Sequence, residues 1–347
     1  MNILVTGSTG FIGSQLCRAL VTQGHSVRAF HRPTSSLRGL EGLPVEHALG
    51  DMTQPATLPA AMEGIEIVFH AAAMLSDMGD PAKMYAITVE GTRAVLQAAQ
   101  QAGVRRLIHT SSVAALGVPE TGPRMQGVPV LMDESHTWNY SPDGWRYGFA
   151  KYLAELEVQK AVAQGLDAVI VNPAVVFGAG DVYRISNSTV VQVARGQIPV
   201  AVQGGCNVVH IADVVAGHLA ALERGRCGER YILGGQNMTF LTLINLIAGV
   251  TGARPVRSVL PAWLTRALGL PMRWLHPFID LPVDARLLSM TGLFFYYDTQ
   301  KSHAELGLEL PRPPDQAIRE AWDWFRNQPS SPLYTGANQP GQGPGTG

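Results

Sequence analysis

Tyr147 and Lys151 stand four residues apart in a stretch, Tyr147 to Gln164, that predicts a helix, so their side chains lie on one face. A free phenol titrates near about 10, too high for efficient proton transfer at neutral pH. An ammonium beside it favours the phenolate and brings that value down. The pair therefore suits proton transfer to or from a substrate oxygen. Chance supplies this spacing in many helices, so its weight comes from its place in the chain. Upstream, Thr110-Ser111-Ser112 closes a predicted strand, and a hydroxyl there can hydrogen-bond a carbonyl oxygen and hold it in line with a hydride donor. Without the Tyr–Lys pair, these three residues read equally well as a turn that ends a strand.

The element that must bring a reaction partner to those groups is the opening stretch, Met1 to Gly13, MNILVTGSTGFIG. Asn2 to Val5 predicts a short buried strand, and Ile12, Leu16, Ala19 and Leu20 repeat at the spacing of one helix face. Between them, Gly7 permits a tight turn, and Gly10 lets the backbone approach a pyrophosphate. Gly13 lets the helix pack closely on its strand. The helix start adds unpaired N–H groups and a positive dipole end. The spacing is G-x-x-G-x-x-G, one residue longer than the common dinucleotide fingerprint.

Alternation continues downstream. Strands are predicted at Ser26–Phe30, Val45–Leu49, Ile65–His70, Arg106–Thr110 and Ala168–Val171, with helices at Pro55–Met62, Pro81–Ala102 and Tyr147–Gln164. On the Tyr147 helix, Phe149, Leu153 and Leu156 are expected to anchor it to the core. This rhythm specifies an α/β fold, a doubly wound parallel sheet of Rossmann type. Residues 1–177 form the expected dinucleotide-binding domain, to which some later segments return. Residues 178–329 form a smaller, mostly helical substrate-binding portion, with helices at Thr189–Arg195, Ile211–Arg224, Leu241–Thr251 and Asp315–Asn327. Arg230–Leu233 is its one clear strand, and residues 330–347 read as a disordered tail. The run Val259–Tyr297 is rich in apolar and aromatic residues, among them Trp263, Leu264, Leu268, Trp274, Phe278, Leu281, Leu287, Phe294 and Phe295. It reads as core or a dimer face, or as a wall over an apolar substrate. Asp133-Glu134 reads as a solvated turn.

Bulk properties narrow the function classes. The chain has 347 residues, 46% hydrophobic and 15% charged, with a net charge of −1, which gives no electrostatic case for nucleic acid or an anionic membrane. Cys17, Cys206 and Cys227 are dispersed, arguing for a reducing compartment and against a disulfide framework. No Cys/His cluster predicts a metal site. An opening strand in place of a signal peptide, and no apolar run long enough to span a bilayer, make a cytoplasmic protein with no membrane span the expectation.

Taken in order, T-G-x-x-G-x-x-G at Thr6–Gly13, Gly50-Asp51, H-A-A-A at His70–Ala73, T-S-S at Thr110–Ser112, the Tyr147/Lys151 pair and Asn172-Pro173 resemble the extended short-chain dehydrogenase/reductases, the NAD-dependent epimerase/dehydratase group. The flavour is similar to its dihydroflavonol-reductase-like and hydroxysteroid-dehydrogenase-like branch. The resemblance implies Ser112 as catalytic serine, Tyr147 as acid/base, and Lys151 as the residue that tunes the tyrosine and holds the nicotinamide ribose. It also implies a cofactor site of Gly7, Thr9, Gly10, Phe11, Ile12 and Gly13 at the pyrophosphate, and Asp51 and Met52 at the adenine. Ala71, Ala72 and Ala73 would line the channel, with Thr110, Pro173 and Val176 toward the nicotinamide. His70 ends a strand and reads as structural. A homodimer through helices Pro81–Ala102 and Tyr147–Gln164 is a family expectation.

Two departures refine this. Where NAD users place an acid after the second strand, this chain has Phe30-His31-Arg32, with Arg38 beyond Ser35-Ser36. An arginine fork suits a 2′-phosphate, so NADP(H) is expected over NAD(H), with Arg32 stacking on adenine as the bland alternative. Second, Gly205 to Asp213 carries no cation to grip a nucleotide diphosphate, and Thr88 replaces a frequent asparagine. The expected function is an NAD(P)-dependent oxidoreductase acting on a ketone, aldehyde or alcohol of a small or apolar molecule. The alternatives are a nucleotide-sugar epimerase or dehydratase and, less in keeping with an intact Tyr–Lys pair, a cofactor sensor.

Overall fold

The computed structural model describes residues 1–74, 80–120, 129–183, 187–267 and 290–327. Its first half carries strands β1 (Asn2–Thr6), β2 (Ser26–His31), β3 (Glu46–Leu49), β4 (Ile67–His70), β5 (Arg106–Thr110), β6 (Leu131–Met132) and β7 (Ala168–Pro173). The second half adds β8 (Val175–Phe177), β9 (Ala201–Val202), β10 (Gly205–His210), β11 (Arg230–Leu233), β12 (Gln236–Thr239), β13 (Val259–Leu260) and β14 (Phe294–Tyr297). The helices are α1 (Phe11–Thr22), α2 (Leu58–Met62), α3 (Pro81–Tyr85), α4 (Gly91–Gln101) and α5 (Arg146–Ala163), then α6 (Ser188–Ala194), α7 (Ile211–Arg224), α8 (Phe240–Thr251), α9 (Gln300–Leu306) and α10 (Pro314–Arg326).

Seven strands form one parallel sheet in the order β3-β2-β1-β4-β5-β7-β11. Its inner strands are buried on both faces, which is why they read as apolar runs rather than alternating ones, while the edge strand β3 is largely exposed. Ile3, Val5, Phe69 and Val171 pack under α1 and α7, and Leu4, Val68, Leu107 and Ile170 under α2, α4 and α5. Every strand therefore ends on one edge, with its last residues delivered to a common groove.

Three expectations need correction. Beyond Phe177, Arg230–Leu233 is not alone: β12-β10-β14-β6 form a second sheet, with β8 paired to β10. These strands are short, β10 interrupts its apolar run with Asn207, and β14 lies within the aromatic stretch, so periodicity did not mark them. Helices α6 to α10 still make up most of the regular structure in that half.

The second correction concerns α5. Leu156 is exposed and Phe149 and Leu153 are only half-buried, while Gly148, Ala150, Ala154, Val158 and Ala161 form the buried face. The helix lies too close to its neighbours for larger side chains: a Cβ on Gly148 would sit 2.9 Å from the Ala114 carbonyl oxygen and 2.8 Å from the Trp138 ring. Third, Glu134 is not a solvated turn residue. It is buried, accepting from Ile232 N at 2.8 Å, whereas Asp133 beside it is exposed and accepts from Ser135 N.

The predicted helix Pro81–Ala102 contains a π turn at Ala86–Glu90 between α3 and α4, and starts at Asp80, whose carboxylate accepts from Ala82 N at 2.9 Å. Of the aromatic stretch, Trp263 is exposed, and Leu268, Trp274, Phe278, Leu281 and Leu287 lie outside the described residues, as does the tail from residue 328. Among the described residues, no helix is long and apolar enough to cross a membrane.

The close seating of α5 has a measurable consequence. Ala154→Leu, at a fully buried position on the sheet side, overpacks the contact. It is expected to cost about 1–3 kcal/mol in urea unfolding, while Leu156→Ala on the exposed side changes stability by about 0.5 kcal/mol or less.

Candidate functional site

The glycine turn is built by close approach. Gly7 has φ +67°, and a Cβ there would press on the Ala71–Ala72 backbone at 2.7 Å. A Cβ on Gly13 would overlap the Gly7 carbonyl, so α1 can touch the turn only through a glycine. Gly10 donates its N–H to the Gly7 carbonyl at 2.9 Å; a Cβ on it would have only that carbonyl within 4 Å and would protrude into the cradle. Helix α1 begins at Phe11 with no side-chain cap and no acid in its first turn, leaving its first amides to face a ligand. This cradle fits a pyrophosphate.

Around it the structure gathers most of the expected cofactor residues. Ala71, Ala72 and Ala73 follow β4 and are half-buried. Thr9 is buried in the turn, and Ile12 is half-buried behind it. Arg32 and Arg38 are exposed beyond β2, and Gly39 lies against Ser14 of α1, which brings the Arg38 segment back beside the glycine turn. Asp51 accepts from Thr53 N and Oγ1 at 2.9 and 2.8 Å, so its carboxylate shapes its own turn. Phe11 and Val176 belong to the core beneath α1, and Met52 packs against Gly91 of α4. Pro173 is buried at the end of β7.

Of the residues expected to do acid–base work, Lys151 and Ser112 meet at the end of β5. Tyr147 lies in the first turn of α5, half-buried beside Met84 and Val89. Lys151, one turn later, is 2% exposed and donates from Nζ to the Thr110 carbonyl at 2.8 Å. Burial pushes its ammonium down to about 8, against which the Glu155 charge pulls it up. Ser112 follows at once, and its Oγ accepts from Ala114 N at 3.2 Å as the cap of a short 3-10 turn, Val113–Leu116. With the oxygen engaged as acceptor, the hydroxyl proton remains to be donated.

Sequence reading missed the polar layer beneath this edge. His70 and His109 are register partners on β4 and β5, with ring centroids 5.2 Å apart. Thr92 Oγ1 donates to the Thr88 carbonyl, so His70 Nε2–H donates to Thr92 Oγ1 at 2.9 Å and His70 Nδ1 accepts from Thr6 Oγ1 at 2.6 Å. On the other face, His218 Nδ1–H donates to the Val214 carbonyl, and Nε2 accepts from Thr110 Oγ1 at 2.9 Å. Burial holds His70 down to about 3 and His218 to about 4, and His109 falls well below its ordinary value. Only His70 carried a sequence signal, and its structural reading fits these bonds. A further pair, His31 and His47, joins β2 to β3 with ring nitrogens 2.9 Å apart. Along α5, the rings of Trp138, Trp145, Phe149, Tyr152 and Phe295 form a contiguous aromatic group. Among the described residues no His, Cys, Asp and Glu group could hold a metal ion.

Comparison with known proteins agrees with this geometry. The profile of the NAD dependent epimerase/dehydratase family matches residues 3–234. Sterol demethylase protein B of Methylococcus capsulatus is 34% identical over 94% of this chain and 99% of its own. The 4-hydroxy-2-methyl-3-oxo-4-farnesyl-3,4-dihydroquinoline-1-oxide ketoreductase of Stigmatella aurantiaca is 31% identical over 88% of this chain and 91% of its own. The crystal structure of gox2253 superposes with a TM-score of 0.81 at 37% identity, covering 93% of this chain and 97% of that one.

The buried imidazoles make stability depend on pH in a defined direction. Each is neutral when folded and charges near about 6.5 once unfolded. Their contribution is whole above about 6.5 and is lost as pH falls toward the folded values, by about 1.4 kcal/mol per pH unit for each. Urea unfolding between pH 7 and 5 is expected to show that decline, and His218→Gln to remove one histidine's share of the slope.

Proposed function

Because the chain belongs to the NAD dependent epimerase/dehydratase family, an enzyme family of NAD-dependent oxidoreductases and epimerases, we propose that it interconverts a carbonyl and an alcohol on a small or lipophilic substrate. The observation that carries this reading is the anchoring of Lys151 Nζ on the Thr110 carbonyl, one helical turn from Tyr147 and two residues before Ser112. The Ser112 and Tyr147 hydroxyls would both donate to the substrate oxygen. Tyr147 would release its proton to that oxygen as it becomes an alkoxide, and the Lys151 ammonium would stabilise the phenolate left behind. A nicotinamide, when bound, supplies or accepts the hydride. Residues Gly7 to Gly13 would hold its pyrophosphate, Asp51 and Met52 its adenine end, and Lys151 its ribose. Ala71 to Ala73, Thr110, Pro173 and Val176 would complete the channel.

The substrate class rests on independent features. The names of the two relatives refer to a sterol and to a farnesylated ketone. Strand β10, where a cation would grip a diphosphate, has no lysine or arginine. In this reading, residues 1–177 serve the cofactor and 178–329 the substrate, and the protein works in the cytoplasm as a homodimer through the α3–α4 and α5 faces.

Two experiments test it. In a panel of lipophilic ketones and alcohols followed by absorbance of reduced cofactor, Tyr147→Phe is expected to lower kcat by about 10²–10⁴ with cofactor affinity kept. Turnover of a nucleotide sugar without added nicotinamide would instead establish the epimerase. For the cofactor, Arg32 and Arg38 favour NADP(H). Fluorescence titration is expected to give a lower Kd for NADPH than NADH, with Arg32→Ala weakening NADPH alone by about tenfold, while tighter NADH binding rejects the preference.

A further inference from the structure

Helix α5 carries a second buried charge that proton transfer at Tyr147 does not by itself require. Glu155 lies four residues beyond Lys151, on the same face, and is buried. Its Oε1 accepts from Asn172 Nδ2 at 2.6 Å, and its Oε2 meets Arg230 Nη1 at 3.1 Å. The same Asn172 Nδ2 donates to the Ser112 carbonyl at 2.9 Å, while Asn172 Oδ1 is buried without a protein partner, so these two donations set the amide's orientation. Arg230 is itself fixed, donating from Nε to the Glu134 carbonyl at 2.9 Å and from Nη2 to the His136 carbonyl at 2.7 Å.

A carboxylate and a guanidinium withdrawn from water together add little to stability, and well-packed apolar residues would serve the fold equally well. Their placement has another consequence. Because Glu155 is held by Asn172 and Arg230, it does not draw the Lys151 ammonium off the Thr110 carbonyl, yet its charge remains one turn away.

We propose that Glu155 is a positioning residue of the acid–base site, acting as the counter-charge of Lys151 and, through Asn172, as the brace that fixes the Ser112 strand end. This rests on the carbonyl–alcohol reading above for its role in turnover, but not for its effect on Lys151. The surroundings leave that effect to Glu155. On α5, Tyr147 precedes Lys151, and Glu157 is engaged with Arg93 of α4 and with Lys160. From the sheet come His70, His109 and, behind Thr110, His218 of α7, all held neutral by burial. From the far side come Arg230, Glu134 and His136, with Lys301 of α9 paired to Glu229. Burial lowers Lys151, and Glu155 is the charge that opposes it.

The test uses the lysines, of which Lys83, Lys160 and Lys301 are the only others. In cofactor-free protein with ¹³C-labelled lysine, the signal lost in Lys151→Met identifies Lys151, and its titration midpoint is followed by NMR. Glu155→Gln keeps an oxygen for Asn172 but removes the charge. The Lys151 midpoint, near about 8 in the parent, is expected to fall by about one pH unit or more. The alkaline limb of carbonyl reduction should move by the same amount, with rates at acid pH returning toward the parent's. Asn172→Leu should lower kcat at every pH without moving the Lys151 midpoint. Should Glu155→Gln fail to fold, the double variant Glu155→Met/Arg230→Met leaves no unpaired charge, and a smaller downward shift is expected because the Arg230 cation goes with it. An unmoved midpoint in the charge-removing variants overturns the counter-charge, and an unchanged kcat in Asn172→Leu overturns the brace. A shifted midpoint in a protein with no carbonyl–alcohol turnover retains the counter-charge and rejects the functional reading.

Discussion

A single ammonium, almost wholly withdrawn from water, sets the conditions for the whole edge of the sheet. Lys151 spends one donor on the Thr110 carbonyl, and burial works against its charge. Desolvating such a group is costly unless polar partners stand ready in fixed positions. The strand carbonyl at the end of β5 is one such partner, and a β-strand in mid-sheet is about as rigid a support as a protein provides. That bond ties the ammonium to the strand end, while Glu155 is engaged by Asn172 and Arg230.

Holding the ammonium there demands that α5 ride close to the sheet, and the glycine turn makes the same demand of α1. In both places the solution is the removal of side chain. Gly148 passes under Trp138 and over the Ala114 carbonyl, and Gly13 passes over the Gly7 carbonyl. Small residues at these crossings lose apolar burial and raise the entropic cost of ordering the chain. The loss is recovered elsewhere on the same elements, by Leu16 and Leu20 of α1 and Val158 of α5 in the two cores. The groove is thus bounded by two helices whose closest crossings are set by glycine and alanine, not by their larger apolar residues.

This explains what was legible in the chain and what was not. The parallel sheet was readable because its inner strands are buried on both faces and helices follow them at short range. Ile211–Arg224 and Arg230–Leu233 fall where periodicity places them. The placing of Tyr147 and Lys151 one helical turn apart, and of Gly7, Gly10 and Gly13 around one strand-to-helix turn, was readable because spacing within a short stretch fixes it. The seating of α5 was misread because apolar periodicity marks which residues are greasy, not how near the neighbouring backbone lies. The second sheet was missed because β10, β12 and β14 are only four to six residues long and pair across long sequence separations. Glu134 and Arg230 are ninety-six residues apart, and no local pattern announces that the guanidinium of one reaches the carbonyl of the other.

The imidazoles beneath the site follow the same logic of a charge that must not be answered by another of its own sign. Apolar residues at positions 70, 109 and 218 would fill the space but leave Thr6, Thr92 and Thr110 without the ring nitrogens that His70 and His218 provide. Lysine or arginine there would repel Lys151 in a medium of low dielectric, and a carboxylate would compete with Thr110 for its ammonium. An imidazole is polar on two sides and, once buried, neutral. The presence of Lys151 itself pushes His70 and His109 further from protonation. His109 gains no protein hydrogen bond in exchange, since both ring nitrogens are buried without a partner. Its place between the His70 ring and the end of β5 nonetheless keeps a neutral dipole where any ion would disturb the one charge the edge is built around.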